Sequence, residues 1–216
     1  MSLPPAPRGP ATRPRGPSPR KREAILAAAV DGFAVNGYAA TSMDSIAAAA
    51  GVSKQTVYHH FGTKTALFEA VIGRVSETIN RPLLDGHTRD LGPERTLAAF
   101  GRHILEFLLS PQSLAFMRLI IAEAPKFKGL ADMVIKAGME GTTQTFARYL
   151  EEETAKGRLA VDEPRQAAIM FFGMLAGSYR FRGLLGLLPT LSAAELDAHV
   201  GAVVRVFMKG YGPASG

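Results

Sequence analysis

The chain contains no cysteine among its 216 residues. This absence excludes disulfide bonds, thiolate metal sites and cysteine nucleophiles. The sequence also lacks an uninterrupted apolar run of the roughly 18 residues that a membrane-spanning helix needs, and no apolar stretch with a cleavage site follows its basic N-terminus. We therefore expect no membrane helix, no membrane partner and no signal peptide, and a cytoplasmic location.

Signatures of catalysis and of β-structure are missing as well. The sequence has no glycine-rich phosphate loop, no nucleophile motif and no carboxylate pair that must face each other. No run of alternating apolar and polar residues bounded by turn signals stands out. Apolar residues make up 47% of the chain, which is enough for a core. We predict an all-α protein that is not an enzyme and that needs no cofactor and no metal.

Positive charge is concentrated towards the N-terminus. Residues 1–74 contain nine Lys and Arg against four Asp and Glu, whereas residues 75–216 contain sixteen against fifteen. Residues 1–19 contain seven prolines and no acidic residue, a composition that predicts a disordered tail. This tail is either simply solvated or a basic arm that strengthens DNA binding through counterion release. The excess charge favours a phosphate-binding surface in this part of the chain.

Residues 41–61 have the pattern of two short helices joined by a glycine turn. Thr41 and Asp44 have the spacing of a capping box, which predicts that the first helix begins at residue 42. Gly51 ends that helix, because glycine reaches positive φ at little cost. Ser53 is a suitable N-cap for the second helix. Two helices joined by such a turn form a helix-turn-helix, whose second helix enters the major groove of DNA.

The second helix, predicted over residues 54–61, has one apolar and one polar face. Val57 and Phe61 are four residues apart and should point inward. Glutamine can form two hydrogen bonds with adenine, threonine can contact a base, and lysine, tyrosine and helix N-termini suit phosphates. The predicted DNA-binding residues are Arg20, Lys21, Thr41, Ser42, Ser53, Lys54, Gln55, Thr56, Tyr58, His59, His60 and Lys64.

Two other interpretations of this segment remain open at this point. It could be a corner of two helices whose polar face is only solvated, or His59 and His60 could bind a metal. Neighbouring positions on a helix point about 100° apart, and neither a cysteine nor a further ligand is clustered nearby, which disfavours the metal. The agreement of cap, glycine turn, apolar positions and polar face favours DNA binding.

The segment KREAILAAAVDGFAVNGYAATSMDSIAAAAGVSKQTVYHHFGTKTALFEAVI, residues 21–72, resembles the N-terminal DNA-binding domain of the TetR family of transcriptional regulators. The resemblance runs without a gap through the end of the first helix, the glycine turn, and residues Tyr58 to Phe68, where the second short helix ends and the next helix begins. It implies double-stranded DNA as a partner, a homodimer, an all-helical C-terminal ligand domain and, usually, repression relieved by a small molecule. A twofold dimer implies a near-palindromic operator. Residues 116–138 resemble the C-terminal domain of the AcrR/AefR-like branch.

We therefore predict three parts in the chain. They are the tail at residues 1–19, a helix-turn-helix DNA-binding domain at 20–66, and a helical ligand-binding and dimerisation domain at 67–211. Helices are predicted over 20–36 and 64–80, from about 93 and about 111, and over 127–156, 164–186 and 193–209.

The last two predicted helices are apolar over much of their circumference, so each must be buried on several sides. A four-helix bundle built from two copies would bury them, and an intramolecular core is the alternative. The resemblance favours the dimer. The predicted interface residues are Phe172, Gly173, Gly177, Phe181, Leu196, Val200, Val203, Val204 and Phe207.

Methionine and phenylalanine are frequent in the C-terminal half, and methionine adapts to ligands of varied shape. The resemblance places a pocket among the middle helices, although plain core packing explains the same residues. The candidate lining residues are Phe107, Met117, Ile120, Met139, Phe146, Met170 and Met174. Because few charges lie among them, we expect an apolar or amphipathic effector.

The sequence thus predicts a sequence-specific DNA-binding transcriptional regulator. It is interpreted as a repressor that a small apolar or amphipathic ligand releases from its operator. An activator or a ligand-independent regulator on the same scaffold is the alternative. A nonspecific nucleoid-type binder would instead show little preference between DNA sequences.

Overall fold

The computed structural model of the protein describes residues 18–127, 129–187 and 191–213. These residues form helices and no β-strand, which confirms the all-α prediction. A tail was predicted for residues 1–19, and residues 1–17 of it lie outside the described residues. The helices are α1 (Pro19–Ala40), α2 (Met43–Ala49), α3 (Lys54–Phe61), α4 (Lys64–Leu84), α5 (Gly86–Asp90), α6 (Pro93–Leu109), α7 (Pro111–Glu123), α8 (Leu130–Met133), a π-helix (Val134–Glu140), α9 (Gly141–Ala155), α10 (Pro164–Leu184) and α11 (Ala193–Tyr211).

Prolines and hydroxyl side chains begin several helices where the sequence predicted them. Helices α6, α7 and α10 start at Pro93, Pro111 and Pro164, because a first helical residue needs no N–H for an intrahelical bond. Helix α3 begins at Lys54 after Ser53, whose hydroxyl accepts a hydrogen bond from the Thr56 N–H at 3.2 Å. The predicted bounds of α3 and the predicted starts of α6 and α7 are confirmed.

Helix α4 is longer than predicted because another helix compensates for its internal proline. It runs through Pro82 to Leu84 rather than ending near residue 80. Pro82 has no N–H, so the carbonyl of Thr78 loses its usual donor. The Nε2 atom of His103 on α6 lies 3.0 Å from that carbonyl oxygen. This contact satisfies the free carbonyl and lets α4 continue.

Two other predicted helices differ from the structure in their bounds. The first helical stretch of α1 ends at Gly37 as predicted, because Gly37 has φ 83 and ψ 174, and a short helical piece continues beyond this kink to Ala40. The helix predicted over 127–156 is divided into α8, the π-helix and α9, and the sequence showed no signal for π geometry. Among the described helices, no single one is long and apolar enough to cross a bilayer, although α6 and α7, bent by 60°, pass that length and composition test as a pair.

The helices surround two hydrophobic cores, and α4 contributes to both. The N-terminal core combines side chains of α1 to α4, including Phe33, Val57 and Phe68, with Ile120 of α7 and Val134 of the π-helix. The C-terminal core lies among α4, α6, α9, α10 and α11, and includes Leu83, Phe100, Phe146, Phe171 and Phe207. Helix α4 therefore crosses the predicted boundary at residues 66 and 67 without a break, and that boundary stays a prediction.

The structure corrects five of the nine residues of the predicted dimer interface. Five apolar residues of α11 fill the C-terminal core of their own protomer, packed with residues of α6 and α10. An apolar stripe that is buried inside the protomer is not an exposed face for a partner. The residues that the structure moves from the interface to the core are Leu196, Val200, Val203, Val204 and Phe207.

A buried carboxylate fixes the end of α9. Glu153 is fully buried, and its Oε1 accepts hydrogen bonds from Lys156 at 3.0 Å and Arg158 at 2.8 Å. Burial by itself raises the pKa of Glu153, but the hydrogen bonds from Arg158 and Lys156 outweigh burial and hold the pKa below its ordinary value of 4.5. Glu153 is therefore charged near neutral pH and ties the turn after α9 to the helix.

Candidate nucleic-acid interface

The turn that leads into α2 differs from its predicted form by one residue. Thr41 is only 2% exposed, and its hydroxyl lies 2.7 Å from the carbonyl oxygen of Gly37 and 2.9 Å from that of Gly32. Ser42 is the true N-cap, and its Oγ accepts a hydrogen bond from the Ser45 N–H at 3.0 Å. The prediction that Thr41 contacts DNA is wrong, because its side chain is buried and holds the end of α1.

Helix α3 presents its polar face outward, as the sequence predicted. Val57 is completely buried in the N-terminal core and fixes the helix against α1, α2 and α4. Lys54, Gln55, Tyr58 and His59 are exposed. Gln55 stands in the first turn of α3, in the part of a recognition helix that contacts base edges in the major groove.

The hydroxyl groups of two residues at the start of α3 take part in its N-terminal cap. Ser53 Oγ and Thr56 Oγ1 are 2.9 Å apart, and Thr56 is half-buried. These hydroxyls position the helix start, where backbone N–H groups and the helix dipole favour an anion. Base contact by Thr56 and phosphate contact by Ser53 stay predictions.

Asp44 of α2 forms an ion pair with Lys54 that sequence reasoning missed. The Lys54 Nζ lies 2.8 Å from Oδ1 of Asp44, and both side chains are exposed. The hydrogen bond and the charge of Asp44 raise the pKa of Lys54. A phosphate that binds Lys54 must compete with this carboxylate. Since Asp44 starts α2 and Lys54 starts α3, only the packing of the two helices brings them together.

Lys64 at the start of α4 has a structural contact that explains its place. Its Nζ donates a hydrogen bond to the Ala39 carbonyl oxygen at 3.1 Å and lies 4.5 Å from the centroid of the Tyr38 ring. Burial lowers the pKa of Lys64, while the charge of Glu123 acts in the opposite direction. Lys64 thus satisfies a carbonyl at the end of α1, and its contact with phosphate stays a prediction.

The first turn of α1 places positive charge beside the end of α3. Arg20 and Lys21 are exposed, and the guanidinium of Arg22 lies 5.5 Å from the centroid of the Phe61 ring. Burial, followed by the charges of His59, Arg22 and Lys21, lowers the pKa of His60. Within the described ranges, no group of three or more His, Asp or Glu side chains is placed to hold a metal ion.

The end of α1 also contacts α7, so the DNA-binding helices are joined to the rest of the molecule at a second place besides α4. A Cβ added to Gly37 would stand 2.5 Å from Cδ1 of Leu119, so the backbone of α1 lies against that side chain. The Ala39 N–H donates a hydrogen bond to Oε2 of Glu123 at 3.2 Å. This contact needs glycine, and its only sequence signal is the glycine near the helix end.

The predicted ligand residues do not line one enclosed site. Phe146 and Met174 belong to the C-terminal core or pack against it, Ile120 and Met117 belong to the N-terminal core or pack against it, and Phe107 is half-buried on α6. Met139 and Met170 are 63% and 49% exposed. Met139 was therefore wrong as lining of an enclosed pocket, because it lies on an outer face of the π-helix. Met170 and Met174 line one open groove between α10 and α11, and ligand binding there stays a prediction.

An apolar face remains exposed on α10 and α11. Phe181 is 65% exposed, and Met170 and Val206 are also exposed beside Gly173. Gly177, with φ 37 and ψ −135, bends α10 between Gly173 and Phe181. Of the predicted interface residues, the structure leaves Gly173, Gly177 and Phe181 at the surface, whereas Phe172 is half-buried against the aromatic rings of the C-terminal core.

Comparison with known proteins gives matches over most of the chain. Residues 25–71 match the family of bacterial regulatory proteins named tetR, and residues 95–213 match the C-terminal domain of AefR-like transcriptional repressors. The regulator SrpR of Pseudomonas putida is 29% identical over 157 residues, which are 72% of each protein.

Solved structures with the same architecture are similar along nearly the whole chain. A TetR-family transcriptional regulator from Mesorhizobium loti is 32% identical, with a TM-score of 0.74 over 89% of this chain and 97% of that one. The flavonoid-responsive regulator FrrA is 33% identical, with a TM-score of 0.69 over 92% of this chain and 100% of that one. The exposed helix α3, capped by Ser53, agrees with these matches. The chain belongs to the TetR family of transcriptional regulators, which bind DNA and are not enzymes.

Proposed function

We propose that this protein is a homodimeric repressor that binds a near-palindromic operator and leaves it when a small apolar or amphipathic molecule binds. The observation that carries the proposal is the polar face of α3, which the glycine turn and the Ser53 cap hold outward. The match of residues 95–213 to AefR-like repressors supports repression rather than activation. Such a regulator acts on chromosomal DNA in the bacterial cytoplasm.

The exposed side chains of α3 divide into two groups by the chemistry they offer to DNA. Gln55 reads bases, since its amide can donate to and accept from adenine at once. Lys54, Tyr58 and the basic first turn of α1 bind phosphates and set the register. The same division applies to both protomers, whose recognition helices in a twofold dimer stand about 34–36 Å apart, one turn of DNA.

The exposed apolar face of α10 and α11 supports the homodimer. Met170 of α10 and Val206 of α11 are exposed apolar side chains on the two sides of one groove, and Phe181 is exposed on α10 beyond the bend at Gly177. Gly173 between them lets a second helix approach closely. Two copies of α10 and α11 related by a twofold axis form a four-helix bundle that removes this face from water.

A small aromatic effector is supported by a relative and by the composition of the C-terminal core. The structurally similar FrrA is described as flavonoid-responsive. In the present chain the C-terminal core contains several packed aromatic rings, and ring pairs such as Phe100 and Phe146 lie 5.0 Å apart. A molecule that binds one arrangement of the helices better than another shifts the population of dimers able to bind DNA.

The proposal is tested by selection of bound sites from random DNA at near-physiological salt. The expected result is one enriched inverted repeat, bound on the order of 10³-fold more tightly than unrelated DNA. Gln55→Ala should relax the preference at one position of each half-site, while Gln112→Ala, an exposed glutamine on α7, should leave the site unchanged. Binding without an enriched site would contradict a specific repressor, and an intact preference in Gln55→Ala would contradict the reading role of α3.

A further inference from the structure

A layer of buried polar side chains lies where α4 passes the start of α9. Ser76 and Asn80 belong to α4 and Thr142 to α9, and all three are buried. Ser76 Oγ lies 3.0 Å from Oγ1 of Thr142 and 3.5 Å from Nδ2 of Asn80. We call these three residues the polar layer. Buried polar side chains cost free energy unless their hydrogen bonds are made, so each must be accounted for.

The polar layer separates the two hydrophobic cores. Along α4 it stands between Ile72 of the N-terminal core and Leu83 of the C-terminal core. In the segment that faces α4, the polar layer lies between Val134 of the π-helix and Phe146 of α9. A molecule bound at this layer would therefore touch both halves of the protein.

One atom of the polar layer has no hydrogen-bond partner in the described part of the chain. Asn80 is 4% exposed, and its Oδ1 accepts no hydrogen bond from the described residues, although an amide oxygen can accept two. The neighbouring Thr143 differs, since its hydroxyl is satisfied by the carbonyl oxygen of Met139 at 2.8 Å. A hydrogen-bond donor brought to Asn80 from outside the chain would remove the cost of this unmet acceptor.

We propose that the polar layer is the polar end of the effector site and binds a neutral aromatic molecule whose hydroxyl or N–H donates to Oδ1 of Asn80. The assignment rests on the proposed function and names its ligand class. A neutral molecule fits because no charged side chain belongs to the layer, and a buried charge needs a partner. An aromatic ring fits because Phe146 follows Thr142 by one turn of α9. Its ring packs with those of Phe100, Phe171 and Phe172, whose centroids lie 5.0 to 5.6 Å from its own.

The site is closed in this structure, which links its occupation to movement of α4. A Cβ on Gly138 would lie 3.3 Å from Ile72, and one on Gly141 would lie 3.5 Å from Oγ of Ser76, so α4 and its neighbour are in close contact. A ligand must part them to reach Asn80. Because it binds only the parted arrangement, it shifts the population towards that arrangement.

The π-helix is the element that moves away from α4 when a ligand binds at the polar layer. Short π segments are energetically poor and occur often at functional sites, and this one ends immediately before the polar layer. Val134 at its other end packs in the N-terminal core, and α4 leads from the polar layer to Lys64 beside α3. Parting α4 from the π-helix therefore displaces the support of the recognition helix.

The test compares two probes that differ in the donor, because a methyl group replaces the hydroxyl hydrogen in the second. Binding of 7-hydroxyflavone and of 7-methoxyflavone to the full-length dimer is measured by calorimetry, and release of a labelled operator by fluorescence anisotropy. The wild type should bind the hydroxyl compound on the order of tenfold more tightly, the effect of leaving a buried acceptor unpaired. Asn80→Leu should bind both compounds equally while still binding the operator.

A pair of adjacent threonines provides the second variant and its control. Thr142 and Thr143 are each 8% exposed, but only Thr142 shares a hydrogen bond with Ser76. Thr142→Val should reduce the preference for the hydroxyl compound, and Thr143→Val should retain it. These variants keep the side-chain shape, so they report on the polar layer even if Asn80→Leu folds poorly.

The outcomes separate the site from the function. If Asn80→Leu and Thr142→Val discriminate between the probes as the wild type does, the hydroxyl binds elsewhere and the polar-layer assignment is overturned, while a ligand-released repressor stands. If the wild type binds neither probe, the assignment to neutral aromatic donors is overturned. Failure of the proposed function would appear separately, as absence of a specific operator in the site selection.

Discussion

Replacing Gly37 with alanine should destabilise the protein through two separate effects at the end of α1. Gly37 has φ 83 and ψ 174, a conformation that costs a residue with a Cβ on the order of 1–3 kcal/mol. The new Cβ would also stand 2.5 Å from Cδ1 of Leu119, and overpacking of this kind costs roughly another 1–3 kcal/mol. We therefore expect the free energy of unfolding to fall by about 2–6 kcal/mol.

The matched control is Gly73→Ala in the interior of α4, where nothing lies within 4 Å of the added Cβ. Alanine in a helix interior is about 0.5–1 kcal/mol better than glycine, so this variant should be slightly more stable. Urea denaturation followed by circular dichroism measures both changes. In a chain of this length, each 1 kcal/mol shifts the melting temperature by roughly 2–4 °C.

A second background separates the two effects at Gly37. With Leu119→Ala in place, the steric part disappears, and Gly37→Ala should cost only the backbone part, about 1–3 kcal/mol. A loss below about 0.5 kcal/mol for Gly37→Ala in the wild-type background would refute the strained geometry. An equal loss in both backgrounds would refute the contact with Leu119.

Three further predictions concern charge and assembly. Lys54→Ala should weaken binding to all DNA sequences alike and reduce the slope of log K against log salt by about 0.9. Gln55→Ala should leave that slope unchanged. Anisotropy titrations over a salt series measure both slopes. Phe181→Arg should make the protein monomeric in sedimentation analysis, and Val35→Arg, at an exposed apolar residue of α1, should not; a dimeric Phe181→Arg would exclude this face. The pKa of Glu153 is lowered on folding from 4.5, so its stabilising contribution is present above that pH and is lost as pH falls through the folded-state pKa. Glu153→Gln should therefore flatten the acid limb of stability, and an unchanged limb would contradict the assignment.

The recognition unit could be predicted from sequence because its signals are local. Ser53, Gly51 and the inward Val57 lie within seven residues, and each determines a cap, a turn or a buried position by itself. Thr41 shows the limit of such signals. Two neighbouring hydroxyl residues both fit a cap, and the choice between them depends on carbonyls of α1 that only the fold brings near.

The remaining errors come from surfaces that look alike in sequence. The apolar stripe of α11 fits a partner helix or the protomer's own core equally well, and Val203 and Phe207 pack in the core. Met139 is apolar but 63% exposed on the π-helix, and its sequence neighbourhood gives no signal for this. The pairing of Asn80 with Thr142 through Ser76 joins residues more than sixty positions apart, and no spacing rule reports such a contact.

The second junction between the end of α1 and α7 limits how regulators of this architecture can be recombined. A hybrid made by joining a foreign recognition unit at α4 alone would retain Leu119 and Glu123 but replace the residues facing them. A foreign residue larger than glycine at position 37 would meet Leu119, and the Ala39 N–H would need its acceptor at the same height on α7. Exchange of operator specificity therefore requires transplanting the facing surface of α7 together with the first three helices, or altering only the exposed side chains of α3.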